Sequence, residues 1–591
     1  MLGEGGVQLS PKISGAPEFS GDPTDAAPGI WAQGEGHGFE LTAPADRVNR
    51  CLRIYAGVNK GWALVRAYLT DGPTSHYGDI TFSSRNTLLA RTYVINYTAA
   101  APRQMLKVEV RMMQSAADPD AGVMLQAVTT ENAPGNTPPS VRIVSPKRNE
   151  RLTAPATLTV EAEASDPDGV SKVEFFDASI AAKIGEATQP PYRITVDRPS
   201  VRYGGLCARA FDRFGMVAYS PVVHYTVETP SATQAPVART RSMAFISPGD
   251  PDHGWEGVSS LVELPNGDLV AAWFAGKLEL SPDSAIYMSW LRKGTNRWTP
   301  PKRMIDSPYI GDGNPVLFFH QGVLWCFYNK LLGPSIEFSK LYCRQSRDSG
   351  RTWGPDIAMP EPSTFRYQTG TLASTRPLVL QNSDILLPVN REAYDPEPSR
   401  QWYSLFLISS DGGKTWRESA PLYSNPGNIQ PAVVQLSDGS LFALCRVRGQ
   451  NRFLWQTTSR DNAGTWEPLQ QSSLKSPSAR VALVRLHDGK LVLAYNDSFT
   501  VRSPLNLTVS EDEGRTWTVN KAIESGAFAF TYPFAIVARD GKIHISYNDN
   551  YRAVKHAVVD ESWFAEPVAR GAPERARSGF PIPYGPKIGT R

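Results

Sequence analysis

The stretch SEDEGRTWTV, Ser510–Val519, crowds an Asp, a Gly, a Thr and a Trp together at close spacing. Taken alone it reads like a site, with acid and aromatic side by side. The same shape returns as SRDSGRTW at Ser346–Trp353, SSDGGKTW at Ser409–Trp416 and SRDNAGTW at Ser459–Trp466, the last with Ala463 where the others have Gly. The closing tryptophans follow one another at intervals of 63, 50 and 51 residues, so the motif is a repeat. A repeat specifies architecture first, and function is then sought among residues that do not repeat.

A second signal shares the period. PNGDLVAAWF, HQGVLWCFYN, QNSDILLPVN, SDGSLFALCR, HDGKLVLAYN and RDGKIHISYN each join a polar turn to an apolar strand, with turn centres near residues 266, 321, 383, 438, 488 and 540. Asn-Gly and Asp-Gly between apolar strands predict type I′ hairpins, whose central residues need positive φ. Six units at this spacing suit the four-stranded blades of a propeller, which need about 40–50 residues each. In that frame the octapeptide lies at a turn after a strand. Ser and Asp cap backbone amides there, Gly takes the unusual dihedral and Trp packs into the seam between sheets. Four good copies serve units two to five, unit one has a worn version ending at Trp298, and unit six has none. Asp512 is therefore expected to face away from any substrate.

The full 591 residues exceed one ordinary core and predict several domains. Apolar residues make up 41% and charged residues 20%, a globular balance. A net charge of +3 without a basic run argues against nucleic acid as a partner. No apolar segment approaches the roughly 20 residues that span a bilayer. With 47 glycines, 48 prolines and few amphipathic helical patterns, an all-β chain is expected. The cysteines, Cys51, Cys207, Cys326, Cys343 and Cys445, lack metal-ligand spacing, so no metal or cofactor is expected. Cys326 and Cys343 could pair across neighbouring strands, but their apolar surroundings favour buried free thiols. The N-terminal MLGEGGVQLS lacks the charged and apolar regions of a signal peptide. Either the protein stays inside the cell or a leader was removed before this numbering begins.

Three segments follow. Residues 1–134 hold alternating runs such as CLRIYAGV and QMLKVEVRMM and read as a β-sandwich. Residues 138–228, from PPSVRIVSPKRNERLTAPATLTVEAEASDPDG onward, resemble a bacterial Ig-like module of the kind strung along secreted enzymes. Asp166 and Asp168 within it are read as turn chemistry ahead of a calcium site. Residues 240–575 hold the repeats and are expected to form a six-bladed β-propeller.

The S-x-D-x-G-x-T-W repeat on a six-bladed frame resembles the Asp-box of the sialidase (neuraminidase) superfamily, in its bacterial branch with BNR repeats. That resemblance implies a site with three arginines for a sugar carboxylate, an Asp as acid/base, and a Tyr nucleophile activated by a Glu. Arginine forks suit a carboxylate because they bond it bidentately and keep their charge. A neutral phenol approaches an anionic substrate without repulsion. By the same resemblance Arg446 in LFALCRVR and Arg502 in VRSPLNLTVS match two arginines, Tyr532 in FTYPFAIV matches the nucleophile, and Asp283 falls in the loop that supplies the acid/base, with Glu279 as its substitute. Two positions depart. Gly257 in HGWEGVSSLVEL stands near where the first arginine belongs, with His253 and Glu256 close by, and the activating Glu falls at Gln430, which cannot act as a base. Arg376 or Arg480 is a candidate to complete a different carboxylate clamp, and Arg391 and Glu392 are candidates to face the centre.

The implied function is exo-acting release of a terminal acidic sugar, a sialic acid or a relative, from glycans, by a monomeric enzyme that is secreted, periplasmic or on the cell surface. Two alternatives stay open at this stage. One is a polysaccharide lyase on the same propeller, with Tyr or His removing the proton α to a uronate carboxylate. The other is a non-catalytic glycan-binding propeller, since Asp-boxes alone do not decide function.

Overall fold

A computed structural model describes the chain from Leu2 to Glu566, except residues 4–6, 11–18, 21–28, 35, 71–76, 85–87, 100–101, 116–119, 133–138, 149, 178–181, 198–201, 213–216, 229–237, 239, 251–252, 277–278, 280–282, 308–309, 332–335, 361–368, 394–400, 449–452 and 527–528. The N-terminal segment forms two facing sheets of six and five strands around a core that includes Leu52, Ile54, Val58, Val65, Val108 and Val110. The next segment pairs a three-stranded sheet, Ser140–Ser145, Thr157–Ser165 and Tyr192–Asp197, with a larger one centred on Arg202–Asp212. In its DPDG turn the Asp168 amide donates to Asp166 Oδ1 at 2.8 Å, and Gly169 takes φ +95°, so the motif works as a turn.

Six sheets of four main strands follow, one for each predicted unit. Blade one runs Trp255–Glu263, Leu269–Gly276, Ala285–Leu291 and Lys302–Ile305, and the next four blades repeat the order from Gly311, Thr369, Asn428 and Ala482. Blade six differs. Its first three strands are Phe530–Val537, Ile543–Asp549 and Ala553–Val559, and its fourth is Ser242–Ser247, from the front of the domain. Joining the two chain ends in one sheet closes the ring and removes an open edge.

The turns between the first and second strands differ from the I′ expectation. In blade one the Gly267 amide donates to the Leu264 carbonyl and the Leu264 amide to the Asp268 carbonyl, and blades three to six repeat both bonds. With Gly267 at φ +85°, this is a type I turn closed by one left-handed residue. Blade two alone among the six has two consecutive positive φ values, at Gln321 and Gly322, and so the I′ form.

The Asp-boxes share one bonding pattern. The Ser409 hydroxyl donates to Asp411 Oδ1 at 2.8 Å and accepts from the Gly413 amide at 2.8 Å, while the Thr415 amide and hydroxyl donate to the two Asp411 oxygens at 2.9 and 2.6 Å. Ser510, Asp512, Gly514 and Thr516 repeat this arrangement. The box tryptophans then pack on the preceding blade: Trp416 meets Phe327 and Trp466 stacks on Phe406 at 4.6 Å. Ala463 adopts the glycine conformation, φ +70°, in the copy at Ser459–Trp466. Hydrogen bonds from Thr516 hold the Asp512 carboxyl down at about 2. A carboxyl depressed below its unfolded value near 3.9 adds stability above about pH 4, and that stability is lost as pH falls through about 2. Asp411→Ala is expected to lower the thermal midpoint while leaving turnover unchanged, because the boxes lie at the face opposite the candidate site; calorimetry and a rate assay on the same sample check both.

All five cysteines are buried thiols. Phe327 pairs with Cys343, so Cys326, one residue along the same strand, points to the other face of the sheet. No helix among the described residues is long and apolar enough to cross a membrane.

Candidate active site

Strand direction fixes which face can hold a site. In every blade the first and third strands begin, and the second and fourth end, at one face, while the Asp-boxes occupy the other. Near the start of the first strand the ladder breaks, between Gly257 and Ser260, Gly313 and Val316, Ile429 and Ala432, and Thr531 and Phe534. At these breaks Val258, Asn314, Gln430 and Tyr532 have φ of +49°, +48°, +57° and +53°. Ser478, just ahead of the first strand of blade five, has +57°. A bulge re-aims its side chain, and a left-handed residue of this size costs about 1–3 kcal/mol. Gln430 and Tyr532 thus occupy equivalent strained positions in blades four and six.

Two arginines meet between them. Arg446 is the penultimate residue of the second strand of blade four, Leu441–Val447, and Arg502 lies three residues ahead of the third strand of blade five, Leu505–Ser510. Both are buried, at 3% and 4% exposure. Arg446 Nε donates to the Ser478 hydroxyl at 3.1 Å and Nη1 to Gln430 Oε1 at 3.1 Å. Arg502 Nη2 donates to the Ser478 carbonyl at 2.9 Å and Nη1 to the Tyr551 hydroxyl at 2.8 Å. Ser478 therefore sets the spacing of both guanidinium groups. The Arg502 guanidinium lies 5.0 Å from the centre of the Tyr532 ring, which stands edge-on to Tyr551 at 6.2 Å.

Two carboxyls feel the charge of these arginines. Burial raises Glu279 to about 7, against the opposing pull of Arg502 and Arg446. Burial and repulsion from Glu337 raise Glu392 to about 8, while Arg446 and Arg448 draw it down. The guanidinium groups of Arg446 and Arg448 each lie over the Trp402 ring, at 5.4 and 5.2 Å from its centre. The site thus combines fixed cations with carboxyls that titrate near neutrality, a pairing that suits acid catalysis on an anionic substrate.

Other candidates lie elsewhere. Asp283 is exposed, and its charge acts on His253. The His253 ring has Nδ1 at 3.1 Å from Glu256 Oε1 and Nε2 at 3.3 Å from the Tyr287 hydroxyl, so both nitrogens are engaged. Burial opposes charge on that ring, but the hydrogen bond and charge of Glu256 outweigh it and raise its proton affinity. Arg480 does not join a carboxylate clamp, because it is fully buried and donates to the carbonyls of Ser374, Ser259 and Tyr532 at 2.7, 3.0 and 2.6 Å. Arg376 lies in a cavity lined by Val433, Val481 and Phe534, where burial lowers its guanidinium to about 10. Arg391 turns away from Glu392 and pairs with both oxygens of Glu418. At Gly257 a side chain has no room, since a Cβ there would lie 1.7 Å from Asn548 Nδ2. Trp255 is core, stacked on Phe274 at 4.2 Å.

Sequence reasoning missed Tyr551 and Ser478. Tyr551 occupies the turn between the second and third strands of blade six, the connection that in blade five holds Arg502. Extending the repeat to the unit without an Asp-box would have pointed to it.

Six four-stranded blades and shared Asp-boxes define a six-bladed β-propeller with a cationic centre. Comparison with known proteins places its parts: residues 267–545 match the family model of a BNR repeat-like domain, and residues 139–205 that of a bacterial Ig domain. The chain thus carries a BNR repeat-like domain behind a bacterial Ig domain. A sialidase from Micromonospora viridifaciens is 24% identical over 167 residues, covering 27% of this chain and 25% of that protein. Among solved structures, the Hadza microbial sialidase Hz136 is 14% identical with a TM-score of 0.47, covering 89% of this chain and 96% of that one. The intramolecular trans-sialidase from Ruminococcus gnavus is 12% identical with a TM-score of 0.44, covering 57% and 100%.

Proposed function

We propose that this protein is an exo-acting glycoside hydrolase that removes a terminal acidic sugar, of the sialic acid class, from glycans. The observation that carries this reading is the meeting of Arg446 and Arg502 on Ser478, with the Tyr532 ring against Arg502 and the charges of both arginines acting on Glu279. In this reading the two guanidinium groups hold the sugar carboxylate. Glu279 gives its proton to the departing glycosidic oxygen as the Tyr532 oxygen bonds to the anomeric carbon. Gln430 accepts a hydrogen bond from Arg446 and carries no base, so the phenolic proton passes to water. Water, deprotonated by ionised Glu279, then attacks the anomeric carbon; Tyr532 leaves as a phenolate and regains its proton from water. The acid role falls to Glu279 in preference to Asp283 because the arginines act on Glu279. We place the enzyme outside the cytoplasm, by analogy with modular glycan-degrading chains.

The pH profile tests this. An acid must hold its proton to donate it, so a carboxyl raised to about 7 is competent below that pH and fails above it. Release of an acidic sugar is expected to fall as pH rises through about 7. Glu279→Gln is expected to remove that limb and lower turnover by about 10²–10⁴. Matched neutral glycosides should stay intact. No release from any acidic glycoside, or a limb that survives Glu279→Gln, would contradict the reading.

A further inference from the structure

On the same face, outward from the arginines, lies an apolar ledge that neither the fold nor the proposed chemistry uses. Phe499 is 37% exposed and Val501 44% exposed, both in the loop that leads into Arg502. Phe453 begins the third strand of blade four, and its ring meets Phe499 edge-on at 5.3 Å. Lys475, at the end of the fourth strand, pairs in register with Phe453, holds its ammonium 5.5 Å from the Phe499 ring and forms an ion pair with Asp497 at 3.3 Å. Asp497 also accepts from Asn520 at 2.7 Å. The result is an aromatic surface, open to solvent on one side and edged by a cation, a carboxylate and an amide.

Its position follows from strand spacing. Arg446 is on the second strand of blade four, Phe453 on the third and Lys475 on the fourth. Neighbouring strands are about 4.8 Å apart, so the ledge lies one to two strand widths further from the axis than the carboxylate clamp. An exo-acting site holds the terminal sugar at the axis and sends the rest of the chain outward. Exposed aromatic faces stack on the C–H side of a pyranose, and flanking charged and amide groups bond its hydroxyls.

We infer that Phe499 and Phe453, with Lys475 and Asp497, form a subsite for the neutral sugar that carries the terminal acidic residue, and that this ledge selects substrates by their leaving group. The inference rests on the proposed hydrolase reading and adds a determinant to it. The test compares two substrates of one acidic sugar, its methyl glycoside and its glycoside on a neutral oligosaccharide. Phe499→Ala is expected to lower kcat/KM about tenfold on the oligosaccharide and to leave the methyl glycoside within twofold. Phe499→Trp should keep the preference. Equal loss on both substrates, or loss on neither, overturns the subsite. A second readout does not depend on catalysis: saturation-transfer NMR of the intact chain with the neutral oligosaccharide alone should show contact that Phe499→Ala removes. Turnover of neither substrate by the parent protein would defeat the hydrolase reading, and absence of NMR contact would defeat the ledge.

Discussion

Tyr532→Phe is expected to lower kcat for release of a terminal acidic sugar by at least about 10³ and to leave KM within a few-fold. The substitution removes only the hydroxyl. The ring that Arg502 covers at 5.0 Å and that Tyr551 meets at 6.2 Å remains, so the carboxylate clamp keeps its shape. A loss confined to kcat would mark the hydroxyl as acting in the transition state. Tyr551→Phe supplies the contrast, because its hydroxyl accepts the Arg502 Nη1 bond. Losing that acceptor should loosen Arg502 and act mainly on KM. Steady-state kinetics on both variants, with circular dichroism to confirm folding, separates the two roles. Full turnover in Tyr532→Phe would remove Tyr532 as nucleophile and leave the fold untouched.

The repeats made the propeller legible because every blade solves the same local problem. The turn draws its bonds from Ser, Asp and Thr side chains, so its four copies are visible in the sequence even where Ala463 replaces the glycine. The I′ expectation failed for a local reason too: one left-handed glycine also closes a type I turn, and Asn-Gly or Asp-Gly serves either form. Arg446, Arg502 and Tyr532 were legible through the resemblance of the stretches that hold them, and Gln430 as the position that departs from it; spacing alone did not single them out. The resemblance put Asp283 ahead of Glu279, but the two share a loop, and in the structure the arginine charges act on Glu279 while the charge of Asp283 acts on His253. Arg480 was least legible of all. Its three acceptors are backbone carbonyls of Ser259, Ser374 and Tyr532, and backbone acceptors carry no residue signature.

That arrangement makes Arg480→Met the substitution with the largest expected effect on stability. Arg480 enters from the segment ahead of blade five and joins carbonyls in the first-strand segments of blades three, one and six. One guanidinium therefore links four blades around the axis. Met keeps much of the apolar stem but donates nothing. Each buried carbonyl left without a donor costs about 1–3 kcal/mol, partly offset because a buried cation is also removed. A net loss of about 3 kcal/mol is expected, read as a lower urea midpoint for the propeller by tryptophan fluorescence. Turnover should fall as well, because the Arg480 bond to the Tyr532 carbonyl helps hold that residue at φ +53°, and without it the strained backbone can relax. Arg480→Lys keeps a cation but cannot reach three carbonyls, and should fall between the two. A midpoint unchanged in Arg480→Met would show that the blades hold their positions without the axial tie, and would shift the origin of the Tyr532 strain to the bulge itself.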